Sequence, residues 1–418
     1  MAAPTASRDR ITRIHVTGFR SLADVTLDLD GLTVLIGDNG SGKSSLIEVF
    51  ETLRYFTEPG ANLRDYALQH PSPIRRGSAT FRIEVLVRDS SGAEPDLTYS
   101  MEVAGQDWGL AVAAEFLRIA PHGDFGTLEP IRREGEHAST FDPSNYLPSA
   151  VQVDSHRLLL THAVNQPRPK ITDREEQRAI ARLGAALSRM EVHVPFESMP
   201  AWAARRSGRK SAMREANILQ STSRLDLLAA NLGNAFHSLK NDHGADHWAE
   251  TLSYVKLGLG DDIDDISASA DAAGGHHAIS ARFKSVSNVP ASALSDGTLS
   301  YLAFVALLRL PSSRSLLAFD EPELHLHPGL LVRVLSMFET IAVSCPVVLA
   351  THSDRLLDAL QDPAKSVVLC DLDDKRAARL LRPDSAMLTR WLTKYRGLGD
   401  IRSTGLQDAV IPRPEAGQ

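Results

Sequence analysis

The chain has 418 residues, 43% hydrophobic and 23% charged, a globular composition that excludes wholesale disorder. At roughly 150 residues per domain the length allows two or three domains. A net charge of −7 argues against a protein that coats nucleic acid non-specifically, while leaving room for a local basic patch. In chain order, ITRIHVT (11–17) and VTLDLD (25–30) alternate apolar and polar residues and predict strands; LTVLIG (32–37) is a short apolar strand. Residues 43–56 place Leu46, Ile47, Phe50 and Leu53 on one helical face. Residues 80–88, 97–103 and 110–120 predict further strands. Between 121 and 175 the Pro, Gly, His and Asp content predicts loop with short elements. Residues 173–192 and 212–240 have helical periodicity, the second through Leu225, Leu228, Ala229, Leu232, Ala235, Phe236 and Leu239. Residues 263–270 and 277–286 predict a hairpin. A helix at 297–310, a strand at 316–320, a helix at 329–343, a strand at 347–351 and a helix from about 354 follow.

Gly37-Asp38-Asn39-Gly40-Ser41-Gly42-Lys43-Ser44 fits G-x-x-x-x-G-K-[ST]. Glycines let the backbone wrap closely, so that N–H groups point inward at phosphates. The helix that follows aims its positive end at the same anion. Lys43 reaches the outer phosphates and the Ser44 hydroxyl ligates Mg²⁺, with Ser45 beside it. A chance match occurs about once per hundred chains of this length. Here the motif follows an apolar strand and opens an amphipathic helix, as its chemistry requires.

LLAFDEPE (316–323) is an apolar strand ending in two acids. Asp320 is placed to hold Mg²⁺ and Glu321 to polarise an attacking water. Acids at strand ends are common, so this pair gains meaning only beside the phosphate loop. VVLATHSD (347–354) brings His352 to another strand tip, where a histidine can sense a γ-phosphate or hold water; Ser353 there also suits a helix cap. In LSDGT (294–298), Ser295 and Gly297 precede an apolar helix whose N-terminus could bind phosphate. Taken alone, plain helix capping by Ser295 or Asp296 explains that segment better.

The order GDNGSGKSS, LSDGT, LLAFDEPELHLHP, VVLATHSD resembles the ABC-type ATPases of the RecF, chromosome-maintenance (SMC) and OLD branch, also called AAA family ATPases. The opening IHVTGFRSL resembles the start of that branch. The C-terminal WLTKYRGLGDIRSTG resembles the tail of small bacterial predicted ATPases of this kind. The resemblance implies an α/β P-loop NTPase, an ABC-ATPase-type head with mixed sheets and flanking helices, split by a largely helical insertion. The lobes would be 1–120 with the Walker A loop, 121–285 as the inserted, mainly helical domain, and 286–418 with signature, Walker B, switch histidine and helical tail. It further implies ATP and Mg²⁺ as ligands, and a homodimer sandwiching two nucleotides. Lys43 and Ser44 would be the Walker A pair, Asp320 and Glu321 the Walker B acid and base. Ser295 and Gly297 would act in trans, His352 would be the switch histidine, and Leu324–Pro328 would occupy the D-loop position. The signature reads SDGT where transporter-like heads have SGGQ, so Asp296 would face the partner's phosphates. No glutamine fits a Q-loop convincingly, Gln106 being a candidate only. Coiled-coil arms, a Cys-x-x-Cys hook and room for a typical Toprim domain are absent.

Arg205, Arg206, Arg209, Lys210 and Arg214 could contact DNA or RNA phosphates, or line a solvated loop. Asp371 and Asp373 read as turn acids; the Asp261–Asp265 acids and His276–His277 match no metal-ligand pattern. Cys345 and Cys370 build no disulfide framework. No apolar run reaches the roughly 18 residues of a membrane span. With no apolar leader in MAAPTASRDR, the expected location is the cytoplasm. The expected function is ATP hydrolysis coupled to head pairing, in DNA repair or anti-phage defence. The alternative is a nucleotide-gated scaffold for a separately encoded effector such as a nuclease. The energising subunit of a transporter is disfavoured by the SDGT signature and the insertion.

Overall fold

The computed structural model describes residues 9–106, 109–121, 127–142, 147–165, 174–196, 211–270, 276–286, 288–311 and 313–411. In chain order, β1 (Asp9–Phe19), β2 (Leu22–Asp28) and β3 (Leu32–Gly37) lead to α1 (Lys43–Tyr55) and α2 (Leu63–Gln69). Then come β4 (Thr80–Asp89), β5 (Leu97–Gln106), β6 (Gly109–Ile119), β7 (Leu128–Glu134), β8 (His137–Asp142) and β9 (Leu147–Ala150). Next are α3 (Leu159–Val164), α4 (Glu175–Ser188), β10 (Met190–His193), β11 (Asn217–Ile218), α5 (Leu232–Asn241) and α6 (Ala245–Leu259). β12 (Ile263–Ala270), β13 (His276–Phe283), β14 (Val289–Pro290), α7 (Asp296–Arg309), β15 (Leu316–Asp320), α8 (Pro328–Ala342) and β16 (Val347–Thr351) follow. The chain ends on α9 (Asp354–Asp358), α10 (Pro363–Ser366), β17 (Val367–Leu372), β18 (Ala378–Leu381), α11 (Ser385–Trp391) and α12 (Leu398–Ser403).

Three sheets organise these elements. An antiparallel eight-stranded sheet runs β2-β1-β4-β5-β6-β7-β8-β9. A six-stranded sheet runs β10-β15-β16-β3-β17-β18, parallel except for β18. A small sheet pairs β11, β12 and β14 around β13. A parallel sheet needs both faces covered, and its central strands β3, β15 and β16 are accordingly almost wholly apolar. Val34 and Ile36 face one core and Leu35 the other; Leu317 and Phe319 alternate likewise with Leu316 and Ala318. Helix α1 lies in the first core with the antiparallel sheet, and α7 and α8 fill the second. Ligands of such sheets bind outside the carboxyl ends of the strands. Here those ends are Gly37, Asp320 and Thr351, on neighbouring strands. Among the described residues no helix is long and apolar enough to cross a membrane.

Three expectations need correction. Among the described residues the stretch from 121 onward is not mainly loop: β7, β8 and β9 extend the antiparallel sheet past residue 120. These strands carry few apolar residues, and β7 buries Arg133 alongside Ile131, so their periodicity is faint. The helix drawn over 173–192 stops at Ser188, and β10 begins at Met190. The helix drawn over 212–240 is confined to Leu232–Asn241. Leu225 and Ala229 are buried, but Ala229 adopts φ 56°, which a helix cannot contain. The Asn231 side chain accepts from Asp226 N and donates to Arg224 O, satisfying the turn locally.

Candidate active site

Gly37 closes β3, and α1 opens at Lys43. Gly42, the N-cap of α1, sits at φ 105° with no side-chain cap, a conformation that favours glycine. The first N–H groups of this 13-residue helix are therefore left to an anion. Lys43 is buried at 4% exposure, and its Nζ donates to the Gly37 and Asp38 carbonyls at 2.9 and 3.0 Å. Burial lowers the Lys43 pKa, while the nearby acids Asp320, Glu321 and Asp38 oppose that shift. The ammonium is thus poised where a polyphosphate could replace its two carbonyl contacts. Asp38, Asn39 and Gly40 are exposed along the loop rim, Ser41 and Gly42 are buried, and Ser44 and Ser45 begin the helix.

The Ser44 hydroxyl lies near the Asp320 carboxylate and favours its charged form, linking the phosphate loop to the tip of β15. Asp320 lies above its ordinary pKa, chiefly because it is buried and also because Glu321 repels its charge. Its Oδ1 is buried and has no hydrogen-bond partner among the described residues. An orphaned carboxylate oxygen beside a serine hydroxyl is the donor set a hard cation takes, so Mg²⁺ fits Ser44 and Asp320. Glu321 turns out of the strand at φ 48°, an uncommon angle for a residue with a Cβ. Its N–H donates to the Ala350 carbonyl at 2.7 Å, and its carboxylate stands 3.7 Å from His352 Nε2. Backbone strain of this kind persists where the surroundings hold it, often at functional sites.

Glu323 does work that the sequence did not announce. Its Oε1 accepts from the Thr351 hydroxyl at 2.7 Å and from the His352 N–H at 2.8 Å. It thereby fixes the tip of β16, and with it His352, against the acids after β15. The following turn passes His325 at φ 65° and reaches His327, whose Nδ1 caps α8 by accepting from Gly329 N.

Ser295 caps α7: its Oγ accepts from Thr298 N at 3.1 Å, so the capping role holds whatever else the residue does. Gly297 packs beside the His325 carbonyl, where an added Cβ would come within 3.2 Å. The 294–298 segment therefore lies against the 324–328 turn of its own chain. Asp296 is not a bare charge. Arg214 pairs with it and donates to the Leu294 carbonyl at 2.9 Å and to the Ala291 carbonyl. This corrects the assignment of Arg214 to a nucleic-acid patch, because its side chain is only 8% exposed and committed to these bonds. Arg205, Arg206, Arg209 and Lys210 lie outside the described residues. Gln106 ends β5 in the antiparallel sheet; β15 lies between β16 and β10, the latter with His193 at its tip. Asp373 caps the β17–β18 turn by accepting from Lys375 N and Ala377 N, as a turn acid should. No cluster of three metal-ligating side chains occurs among the described residues.

Comparison with known proteins finds likeness in two segments of the sequence and in the fold. Residues 10–60 match the family model described as "AAA ATPase domain". Residues 283–358 match "AAA domain, putative AbiEii toxin, Type IV TA system". The two segments are those that carry the phosphate loop and the Asp320–His352 half of the site. No curated protein matches the sequence. In fold, the chain resembles an SmcHead solved bound to the C-winged helix domain of ScpA, at 12% identity and TM-score 0.50, over 89% of this chain and 96% of that one. It resembles equally an Smc head with an extended coiled coil, bound to the C-terminal domain of ScpA derived from Pyrococcus furiosus. That match has 12% identity and TM-score 0.50, over 92% of this chain and 99% of that one. In fold the chain is therefore similar to these Smc heads, and its two matched segments are similar to AAA ATPase domains.

Proposed function

We propose that this ABC-type, RecF/SMC-like AAA ATPase binds ATP with Mg²⁺ and hydrolyses it to ADP and phosphate. The supporting observation is the meeting of Lys43, Ser44, Asp320, Glu321 and His352 at one sheet edge, from three separate strand ends. The phosphates lie over the N–H groups of Gly40–Ser45, and Lys43 exchanges its two loop carbonyls for outer phosphate oxygens. Mg²⁺ held by Ser44 and Asp320 would neutralise charge on the β- and γ-phosphates. Glu321 takes a proton from water as its oxygen bonds to the γ-phosphorus; the bond to the bridging oxygen breaks and ADP departs. His352, 3.7 Å from the Glu321 carboxylate, holds the γ-phosphate or the attacking water from the other side.

The test is direct. Wild-type protein should bind ATP in calorimetry and turn it over with Mg²⁺. Lys43→Ala should lose about a hundredfold or more in affinity, the loss of two charge-assisted contacts, and all turnover. Wild-type protein that binds no ATP sinks the reading.

In the same proposal two heads pair, each nucleotide sandwiched between one chain's phosphate loop and the partner's Ser295 and Gly297. The setting is DNA repair or anti-phage defence in the cytoplasm, with DNA contacts left to Arg205, Arg206, Arg209 and Lys210. A second reading has a specific precedent: in the SMC structures the head carries a separate protein, ScpA. Here ATP occupancy would hold or release an effector such as a nuclease, with turnover incidental. Turnover stimulated by DNA favours the first reading. Unstimulated turnover with tight binding of a neighbouring gene's product favours the second.

A further inference from the structure

The segment WLTKYRGLGDIRSTG takes no part in the chemistry above, yet it returns to the site. Helix α12 packs on α9, the short helix directly behind His352. The approach is close: a Cβ on Gly399 would lie 2.0 Å from the Asp354 carbonyl oxygen. The Asp400 N–H donates to Asp358 Oδ1 at 2.9 Å, and Leu398 and Ile401 are buried beneath. This docking delivers Arg402 to the rim of the phosphate loop. Its Nη1 donates to Asp354 Oδ1, and its Nη2 stands 3.9 Å from Asp38 Oδ1.

The second contact is unlike a stabilising one. The Asp38 side chain is 99% exposed, and a long ion pair to an exposed carboxylate contributes little to stability. Its position is informative instead. The same Asp38 offers its backbone carbonyl to Lys43 Nζ at 3.0 Å, and Lys43 is the group that reaches the outer phosphates. Arg402 and Lys43 therefore flank one residue, at the outer-phosphate end of the loop. A guanidinium has a rigid fork that can keep one anion while engaging another.

We propose that Arg402 is a ligand of the outermost phosphate of a bound nucleoside triphosphate. Nη1 stays on Asp354 while Nη2 leaves Asp38 for a phosphate oxygen. The C-terminal tail and the helix behind His352 then register a triphosphate and ignore a diphosphate. The proposal rests on the nucleotide reading above.

The experiment compares Mg-ATP with Mg-ADP by calorimetry on full-length protein carrying Glu321→Gln, so that ATP persists. Adding Arg402→Ala should weaken ATP by about tenfold or more, the loss of one charge-assisted hydrogen bond, and ADP by less than about twofold. The melting temperature without nucleotide should fall only by the loss of the Asp354 contact, and Arg402→Lys should recover part of the ATP affinity. Equal losses for ATP and ADP would mean that the residue only docks the tail, and would overturn the proposal, as would no loss at all. If Arg402→Ala does not fold, Arg402→Gln and Arg402→Lys carry the same comparison. A Glu321→Gln parent that binds neither nucleotide refutes the nucleotide reading itself, before any Arg402 variant is made.

Discussion

Asp296 sits in the first turn of α7, where its charge suits the helix dipole but would oppose a partner's phosphates. Arg214 resolves that conflict by pairing with it from a segment 82 positions away. Removing one member of a largely buried pair leaves the other uncompensated, at a cost of up to about 3 kcal/mol. Arg214→Ala should therefore lower stability in chemical denaturation and weaken ATP-dependent head pairing. Arg214→Ala combined with Asp296→Asn should restore most of the pairing, because the stranded charge is gone. Failure of that rescue would show that Arg214 acts only by holding the Ala291 and Leu294 carbonyls. At this scale the sequence was legible where the chemistry is contiguous. Gly37–Ser44 announces itself because phosphate binding needs those types in one run. Arg214, Glu323 and Arg402 did not, because each is defined by partners 82, 28 and 48 positions off. Charge alone put Arg214 in a surface patch, and only its burial moves it inside.

Among the elements, β6 and α3 are joined by one carboxylate. Glu115 is fully buried on β6; its Oε2 accepts from Leu159 N at 2.6 Å, and its Oε1 from Leu160 N and the Tyr99 hydroxyl. It caps the start of α3 from a neighbouring sheet and ties that helix to the extended antiparallel layer. Burial pushes its pKa up from the usual 4.5 to about 7, against the pull of those donors and of Arg133. The folded chain thus holds a proton that the unfolded chain releases at lower pH. Stability is highest at low pH with respect to this group, falls as pH rises from 4.5 to about 7, and then levels off. The total change is on the order of a few kcal/mol. Glu115→Gln cannot ionise, so urea denaturation should show that decline flattened, even though the amide loses one acceptor. An unchanged slope would place the titrating group elsewhere. Strands buried on both faces, such as β3, β15 and β16, were readable as apolar runs. The half-polar β7, β8 and β9 were not, since successive pairing, β7 to β6, β8 to β7 and β9 to β8, rather than apolar periodicity makes them strands.

For the whole molecule, length is a poor guide to partition. Lys43 and Asp320 belong to one site although the chain between them builds a second sheet and several helices. The parallel sheet makes this possible: β3 lies between β16 and β17, so an early strand completes a layer otherwise made late in the chain. A site assembled this way is only half a catalytic unit if heads pair as proposed. Ser295 caps its own helix, and Gly297 abuts the 324–328 turn of its own chain. In the proposed pair both would face the partner's nucleotide. Pairing should then depend on bound ATP and be undone by hydrolysis. Glu321→Gln keeps the carboxylate's size but cannot take a proton, so the pair should form with Mg-ATP and persist. On light scattering after a sizing column, the variant should have twice the monomer mass with Mg-ATP and the monomer mass with Mg-ADP. Wild type should return to monomer as ATP is consumed, and Ser295→Arg, which blocks the signature face, should stay monomeric while still binding ATP. If Glu321→Gln binds ATP yet stays monomeric at every accessible concentration, ATP is sensed within one head. Tail docking through Arg402 would then be the remaining route from nucleotide to the rest of the molecule.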